Sequence, residues 1–182
     1  MSKTDFSDIN IPELIADMWE PLTKEQREYL SDHFTIQNFK KNEVVHFEGE
    51  TPTHLMCLLT GKVKIYKEGV GGRSQIIRMM KPVEYFGYRA YFSEQAYVTA
   101  AAAFEPSVIC LIPMTVITHL IRQNNDLAMF FIKQLSNDLG LSDTRTVNLT
   151  QKHIRGRLAE SLLFLKESYG IEEDGSTLSI YL

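Results

Sequence analysis

A chain of 182 residues that is 44% hydrophobic and 23% charged can bury one good-sized core and is not composed like a disordered segment. Its formal net charge of −4 argues against a basic, nucleic-acid-coating surface within these residues. The N-terminus lacks a signal-peptide pattern and no apolar run approaches the roughly 20 residues of a membrane span, so a soluble cytoplasmic chain with no membrane partner is expected. Cys57 and Cys110 stand in separate apolar runs, LMCLL and VICLI, and read as buried, reduced thiols.

Residues 10–32 predict helix, with Ile11, Leu14, Ile15, Met18 and Trp19 at helical spacing. Pro21 interrupts, and Thr23 with Gln26 makes a capping box for a second short helix ending near His33. From about 34 to 112 short apolar runs alternate with Gly, Pro and charged breaks, the texture of short strands. The runs are 43–47, 54–60, 62–67, 75–80, 98–104 and 107–112. In KVKIYK, Val63 and Ile65 face one way and Lys62, Lys64 and Tyr66 the other, as a half-buried antiparallel strand requires. The glycine-rich stretch 68–73 predicts a hairpin loop. Many short strands at this spacing predict a mainly β fold, a sandwich or jelly-roll barrel, flanked by helices.

After Pro113 the texture turns helical. Met114 to Arg122 forms one short helix, and Asn124-Asn125-Asp126 offers an N-cap for the next. There Leu127, Phe131, Leu135, Leu139, Ser142, Thr146 and Leu149 recur at intervals of three and four, a narrow stripe like a coiled-coil seam. A helix packed on the barrel would carry the same polar outer residues. Thr150 starts a further helix with Ile154, Leu158, Leu162 and Leu165 on one face and Gly170 as its C-cap. An acidic turn and one alternating strand, TLSIYL, then close the sequence with nothing left to pair with, as though it stops within a domain. The expected segments are 1–33, helical; 34–123, a β-roll; 124–149, a dimerisation helix; and 150–182, the start of a further domain.

This order of elements resembles the Crp/Fnr family of bacterial transcription regulators, and particular residues carry the likeness. NEVVHFEGETPTHLMCLLTGKVKIY is similar to the family's opening signature, with Glu48-Gly49-Glu50 as a tight turn and 58–63 as strand–turn–strand. IRGRLAESLLFL resembles the helix entering the family's DNA-binding domain, with Gly156-Arg157-Leu158-Ala159 as its hallmark. The likeness spans residues 10–182. It implies a double-stranded β-helix sensor barrel of the cyclic-nucleotide-binding type, a long dimerisation helix and a homodimer. A winged helix-turn-helix is expected beyond the TLSIYL strand, so DNA is a partner of a longer parent and not of these residues alone.

The resemblance also implies an anion site, in which a short helix opened by Gly presents backbone N–H groups. Its counterpart here is 85–92, where Phe86, Gly87 and Ala90 match the family pattern. In members that bind cyclic nucleotides, a Glu after that Gly grips the ribose and a later Arg neutralises the phosphate. Here Tyr88 takes the first place, Tyr97 or Val98 about the second, and no Arg lies in 95–101. Losing the cation forfeits a charge-assisted bond of about 1.5–3 kcal/mol. Losing both groups weakens binding on the order of a hundredfold to several thousandfold, so cAMP is not the expected effector.

Arg89 either returns some positive charge or points to solvent. The cluster Tyr85, Phe86, Tyr88, Tyr91, Phe92 and Tyr97 is either packing or the wall of a site for a flat apolar ligand such as haem or an aromatic acid. Thr99 and the alanines 100–103 lie on the strand expected to floor the pocket and leave volume there. In the family's cAMP-binding members the seam helix meets the ligand's base across the dimer, and the resemblance puts Ser142 or Asp143 at that position.

Two cysteines are too few for a four-cysteine iron–sulfur cluster. Haem needs one or two axial ligands, for which His33, His46, His54, His119, His153 or a Met are candidates. A cupin enzyme needs a His-x-His pair, and none is present. The expectation is therefore a non-enzymatic, effector-responsive homodimeric regulator with an unknown small-molecule effector and no metal site. A haem-sensing or redox-sensing regulator of the same family is one alternative, and a ligand-binding or interaction module without DNA binding is another.

Overall fold

Eight short strands and six helices follow one another in the computed structural model, which describes residues 14–69, 71–175 and 177–178. The described residues fall into two compact units, one up to Phe131 and one from Ile132 onward. Ile11 lies outside the described residues, as does the end of the TLSIYL strand, 179–182.

The first unit opens with α1 (Ala16–Trp19) and α2 (Lys24–Ser31). The capping box forms as expected: Gln26 N donates to Thr23 Oγ1 at 3.3 Å, and Thr23 N donates to Gln26 Oε1 at 3.1 Å. Ile15, Met18 and Leu30 are fully buried.

Two antiparallel sheets follow. One has the order β1 (Thr35–Phe39), β8 (Ser107–Pro113), β3 (His54–Thr60), β6 (Tyr85–Phe86); the other β2 (Val44–His46), β7 (Ala100–Ala103), β4 (Val63–Glu68), β5 (Ser74–Met80). Their inner faces share one core built from Phe39, Met56, Leu58, Val63, Ala101 and Ile109 among others. Period two explains this: Met56 and Leu58 turn into that core while Leu55, Cys57 and Leu59 are buried outside it. Strand β3 is apolar on both faces and reads as one unbroken apolar run.

Cys57 and Cys110 stand opposite each other in the β3–β8 ladder, both buried and free. Burial pushes both thiols up, Cys110 to about 12, so both remain protonated at neutral pH. Gly61, with φ +87°, makes the tight turn between β3 and β4, where a Cβ would lie 2.4 Å from Ser107 Oγ. Strands β1 and β6 have no apolar run of their own. β1 is TIQNF with Phe39 as its one buried residue, and β6 is two residues long.

The short helix α3 (Tyr88–Phe92) sits between β6 and β7, and α4 (Met114–Gln123) follows β8. Asn124 then joins three elements. Its Oδ1 accepts from Asp126 N and Leu127 N at 3.0 and 3.1 Å, opening the long helix α5 (Asn125–Gln151). Its Nδ2 donates to Pro21 O at 2.8 Å and to Gln26 Oε1 at 2.9 Å.

The stripe on α5 departs from the expected seam. Leu127 is 0% exposed and Phe131 3%, so both are spent on their own chain; Leu135 is half-buried, and Leu139, Ser142 and Thr146 are exposed. At 100° per residue, steps of four advance the row by about 40° each, so it swings about 120° around the helix between Leu127 and Leu139. Ile132, 52% exposed, lies about 100° around the helix from Phe131 and nearly in line with Leu139, so the exposed row begins there. The side chain of Leu149 lies outside the described residues.

Two further corrections concern the end of the chain. Thr150 does not start a helix, because α5 runs through Gln151 and α6 (Ile154–Tyr169) begins after an extended His153 at φ −60°, ψ 152°. Lys152 and Asn148 both reach Glu160 across that break. Nor is the final strand wholly unpaired: Leu178 bridges Ile171, and Glu172 N donates to Thr177 O at 2.8 Å. Gly170 caps α6 with φ +84°, as its position predicts.

Candidate functional site

Backbone pairing sets the site. The turn 48–50 holds the loop after α3, with Gly49 N donating to Tyr97 O at 2.7 Å and Tyr97 N to Glu50 O at 2.9 Å. That clamp turns the Tyr97 side chain into the barrel core, where it is 7% exposed among Met56, Phe86 and Ala101. Its ring stacks on His46 of β2, with centroids 3.8 Å apart and planes at 24°. Gly87, with φ +90°, lies beside the hydroxyl: a Cβ there would be 3.3 Å from Tyr97 Oη and 2.9 Å from His54 O. The Tyr97 hydroxyl thus packs against the glycine that the resemblance marks as the anion site.

Beside this stack lies a cavity of about 210 Å³, whose wall includes Phe39, Glu43, His46, Glu50, Met56 and Tyr97. No Lys or Arg lines it among the described residues. Burial pushes the His46 imidazole down to about 4, against the opposing pull of the Phe47 backbone and the Glu50 carboxylate. Burial first, and Glu50 second, push the Tyr97 phenol up to about 12. Both rings are neutral at physiological pH. His46 Nδ1 and Tyr97 Oη are buried without a hydrogen-bond partner.

The remaining residues singled out by sequence divide. Phe86, Gly87, Ala90 and Tyr97 come together in the barrel. Tyr88, 3% exposed, packs instead on Phe131 and Phe92 with centroids 5.4 and 6.4 Å away, at the root of α5. Tyr85 likewise meets Phe130 edge-on at 5.4 Å. Tyr91 and Phe92 instead line a wider surface groove, where Thr118 Oγ1 donates to Tyr91 Oη at 3.4 Å, and Phe92 also meets Phe131. Arg89 is exposed and returns no charge to the cavity. Val98 is 42% exposed, with its carbonyl accepting from Lys67 Nζ, and Thr99 is half-buried.

The alanines 100–103, expected on the pocket floor, form β7. They are buried between β2 and β4 and line neither this cavity nor a wider surface groove of about 630 Å³ beside Tyr91, Glu94 and Arg122. Their small side chains are filled in by neighbours such as Met80 and Phe86 rather than left as volume. Ser142 and Asp143 are exposed and belong to the second unit. His46 was legible only as one of five histidines, since nothing local to VVHF announces a partner 51 positions on.

The other histidines lie elsewhere. His33 Nδ1 lies 2.6 Å from Tyr29 O, His54 Nδ1 2.8 Å from Thr53 Oγ1, and His119 Nε2 3.2 Å from Gln123 Nε2, while His153 occupies the N-cap position of α6 without a side-chain capping bond. No cluster of three or more metal-ligating side chains occurs among the described residues. The cavity beside His46 is smaller than the roughly 300–1,000 Å³ of drug-sized pockets, so the site does not fit a haem. No helix among the described residues is long and apolar enough to cross a membrane.

Residues 36–124 match the cyclic nucleotide-binding domain. An uncharacterised protein of Haemophilus influenzae is 30% identical over 109 residues, 59% of this chain and 84% of that one. The global nitrogen regulator of a Nostoc species is 23% identical over 81% of this chain and 67% of its own length. The chain carries a cyclic nucleotide-binding domain and is similar to regulators of the Crp/Fnr type. The sensor domain of the transcriptional regulator DNR from Pseudomonas aeruginosa shares the fold, with TM-score 0.65 and 24% identity over 74% of this chain and 91% of that domain. Phe86 and Gly87, expected from the resemblance, sit beside the barrel core, with Tyr88 at the first of the two expected charged positions and Tyr97 or Val98 at about the second.

Proposed function

We propose that the chain is the sensor and dimerisation segment of a cytoplasmic, homodimeric Crp/Fnr-type transcription regulator whose effector is not cAMP, and that DNA binding belongs to its longer parent. The observation that carries the effector half is Tyr97. It fills the approach to Gly87 in a cavity whose wall holds Glu43 and Glu50 and no Lys or Arg. A buried phosphate without its cation, facing carboxylates, is penalised by both desolvation and repulsion.

The dimer half rests on the exposed row that begins at Ile132. Ile132, Leu135, Leu139, Ser142, Thr146 and Leu149 are spaced three, four, three, four, three, a strict heptad pattern. An effector acts through this helix only by preferring one arrangement of the dimer over another; tight binding alone shifts nothing. A haem-sensing version gains no support from a cavity of this size.

Light scattering tests the dimer. Wild type is expected at twice 20.9 kDa, and Ile132→Glu with Leu139→Glu at the monomer mass; a monomeric wild type overturns the reading. Transcript profiling after gene deletion tests regulation, with rescue expected from wild type and not from the double substitution. Calorimetry with cAMP is expected to show no binding, and micromolar affinity would refute the non-cAMP assignment.

A further inference from the structure

We propose that the surface groove between α3 and α4 is a ligand site in its own right, built for a free aromatic α-amino acid in its zwitterionic form. The groove shares only Thr51 with the cavity beside His46, so the proposal goes beyond the sensor reading above and does not depend on it.

Its apolar part is a corner made of two rings. Tyr91 and Phe92 both line the groove, with centroids 5.9 Å apart and planes at 79°. Both rings are held in place: Thr118 Oγ1 donates to Tyr91 Oη at 3.4 Å, and Phe92 meets Phe131 with centroids 5.6 Å apart. Phe92 is still 38% exposed. Two fixed faces at nearly a right angle suit a third ring, which stacks on one and turns its edge to the other. The groove's volume of about 630 Å³ lies within the range of small-molecule sites.

The polar part holds one charge of each sign, and neither is in use. Glu94 and Arg122 line the same groove, yet neither side chain has a hydrogen bond or an ion pair with any described residue. A ligand that is only an anion meets the Glu94 carboxylate, and one that is only a cation meets the Arg122 guanidinium; each is opposed by half of the site. A zwitterion satisfies both. The guanidinium fork matches a carboxylate, and the Glu94 carboxylate takes an ammonium. An α-amino acid carries these two groups on one carbon and its ring on a third arm.

Glu94 also stands where glycine is the easier residue. Its φ is +54°, and it closes α3 in a Schellman motif, with Glu94 N donating to Tyr91 O at 3.0 Å and Gln95 N to Ala90 O at 2.9 Å. A left-handed residue with a long side chain is strained, and such strain gathers at ligand sites. The carboxylate is thus kept on the groove against the preference of its own turn.

The test titrates the whole chain with L-phenylalanine, L-tyrosine and L-tryptophan at up to about 1 mM, read by saturation-transfer NMR and thermal shift. Phenethylamine, which lacks the carboxylate, and 3-phenylpropionate, which lacks the ammonium, are the comparators. At least one amino acid is expected to bind and raise Tm, with each comparator weaker by about tenfold or more. Arg122→Gln and Glu94→Gln are each expected to weaken the amino acid about tenfold while circular dichroism stays unchanged. Glu94→Gly is expected to lose the amino acid to the same extent and yet raise the Tm of the ligand-free chain, because glycine accepts the positive φ. No binding by any of the three amino acids, a comparator that binds as tightly as they do, or charge variants that bind like wild type overturns the proposal. A Glu94→Gly chain that retains the amino acid overturns it as well.

Discussion

Leu58 and Leu158 are the same residue in two different physical situations. Leu58, on β3 in the first unit, is 0% exposed inside the shared core; Leu158, on α6 in the second, is 62% exposed. The contrast extends to their neighbours. Ile109, Ile112, Met114 and Ile117 are fully buried, whereas Leu139, Leu141, Ile154 and Leu162 are each more than half exposed. The first unit buries most of its large apolar side chains, leaving Phe47, Ile77 and Met129 among the exceptions. The second displays side chains that a lone chain has no use for, which is how an unpartnered interface differs from a finished core.

The largest expected effect breaks the comparison at its centre. Leu58→Ala deletes buried methyl groups and leaves a cavity, costing about 2–5 kcal/mol in denaturant unfolding. A smaller loss would mean the barrel is looser than its burial implies.

Next comes acid. The His46 imidazole protonates near 6.5 in the unfolded chain but only near 4 in the folded one. The unfolded state thus binds more protons across that interval, and stability is lost as pH falls from about 6.5 to about 4. The loss is on the order of 3 kcal/mol and belongs to the first unit alone. Denaturant titrations at neutral pH and at pH about 4 measure it. His46→Phe, which keeps a ring on Tyr97 and removes the titrating group, is expected to abolish most of the acid loss attributable to this site. An equal drop in the variant would place the acid sensitivity elsewhere.

The smallest effect is the sharpest. Leu158→Ala, the same substitution on the other unit, is expected to move stability by no more than about 0.5 kcal/mol. A loss comparable to that of Leu58→Ala would show α6 to be covered in solution and close the contrast between the units.

Sequence periodicity reached the first unit more fully than the second, for physical reasons. Strands β3, β4, β5, β7 and β8 are apolar at the positions that face the core, so their texture survives without the structure. β1 escaped because its outward positions Thr35, Gln37 and Asn38 outnumber its one buried residue, Phe39. Along α5 the apolar spacing was visible but its partner was not. The same row serves the barrel at Leu127 and Phe131 and faces away by Leu139, a rotation that sequence spacing records without saying where one role ends.

At the site, Gly87 and the absent Arg were readable because each is a fact about a single position. The His46–Tyr97 stack was not, because it is made by strand topology across 51 positions. Ala100 to Ala103 show the converse: small side chains leave space only where no neighbour packs in, and Ala101 and Ala103 lie within the shared core.

Asn124 carries a mechanical consequence. Its single side-chain amide grips Pro21 O and Gln26 Oε1 on one side and the first free N–H groups of α5 on the other. Gln26 Oε1 also closes the capping box of α2, so one oxygen atom serves two joints at once. The first turn of α5 and the α1–α2 turn therefore share one polar joint, and disturbing either strips partners from the other.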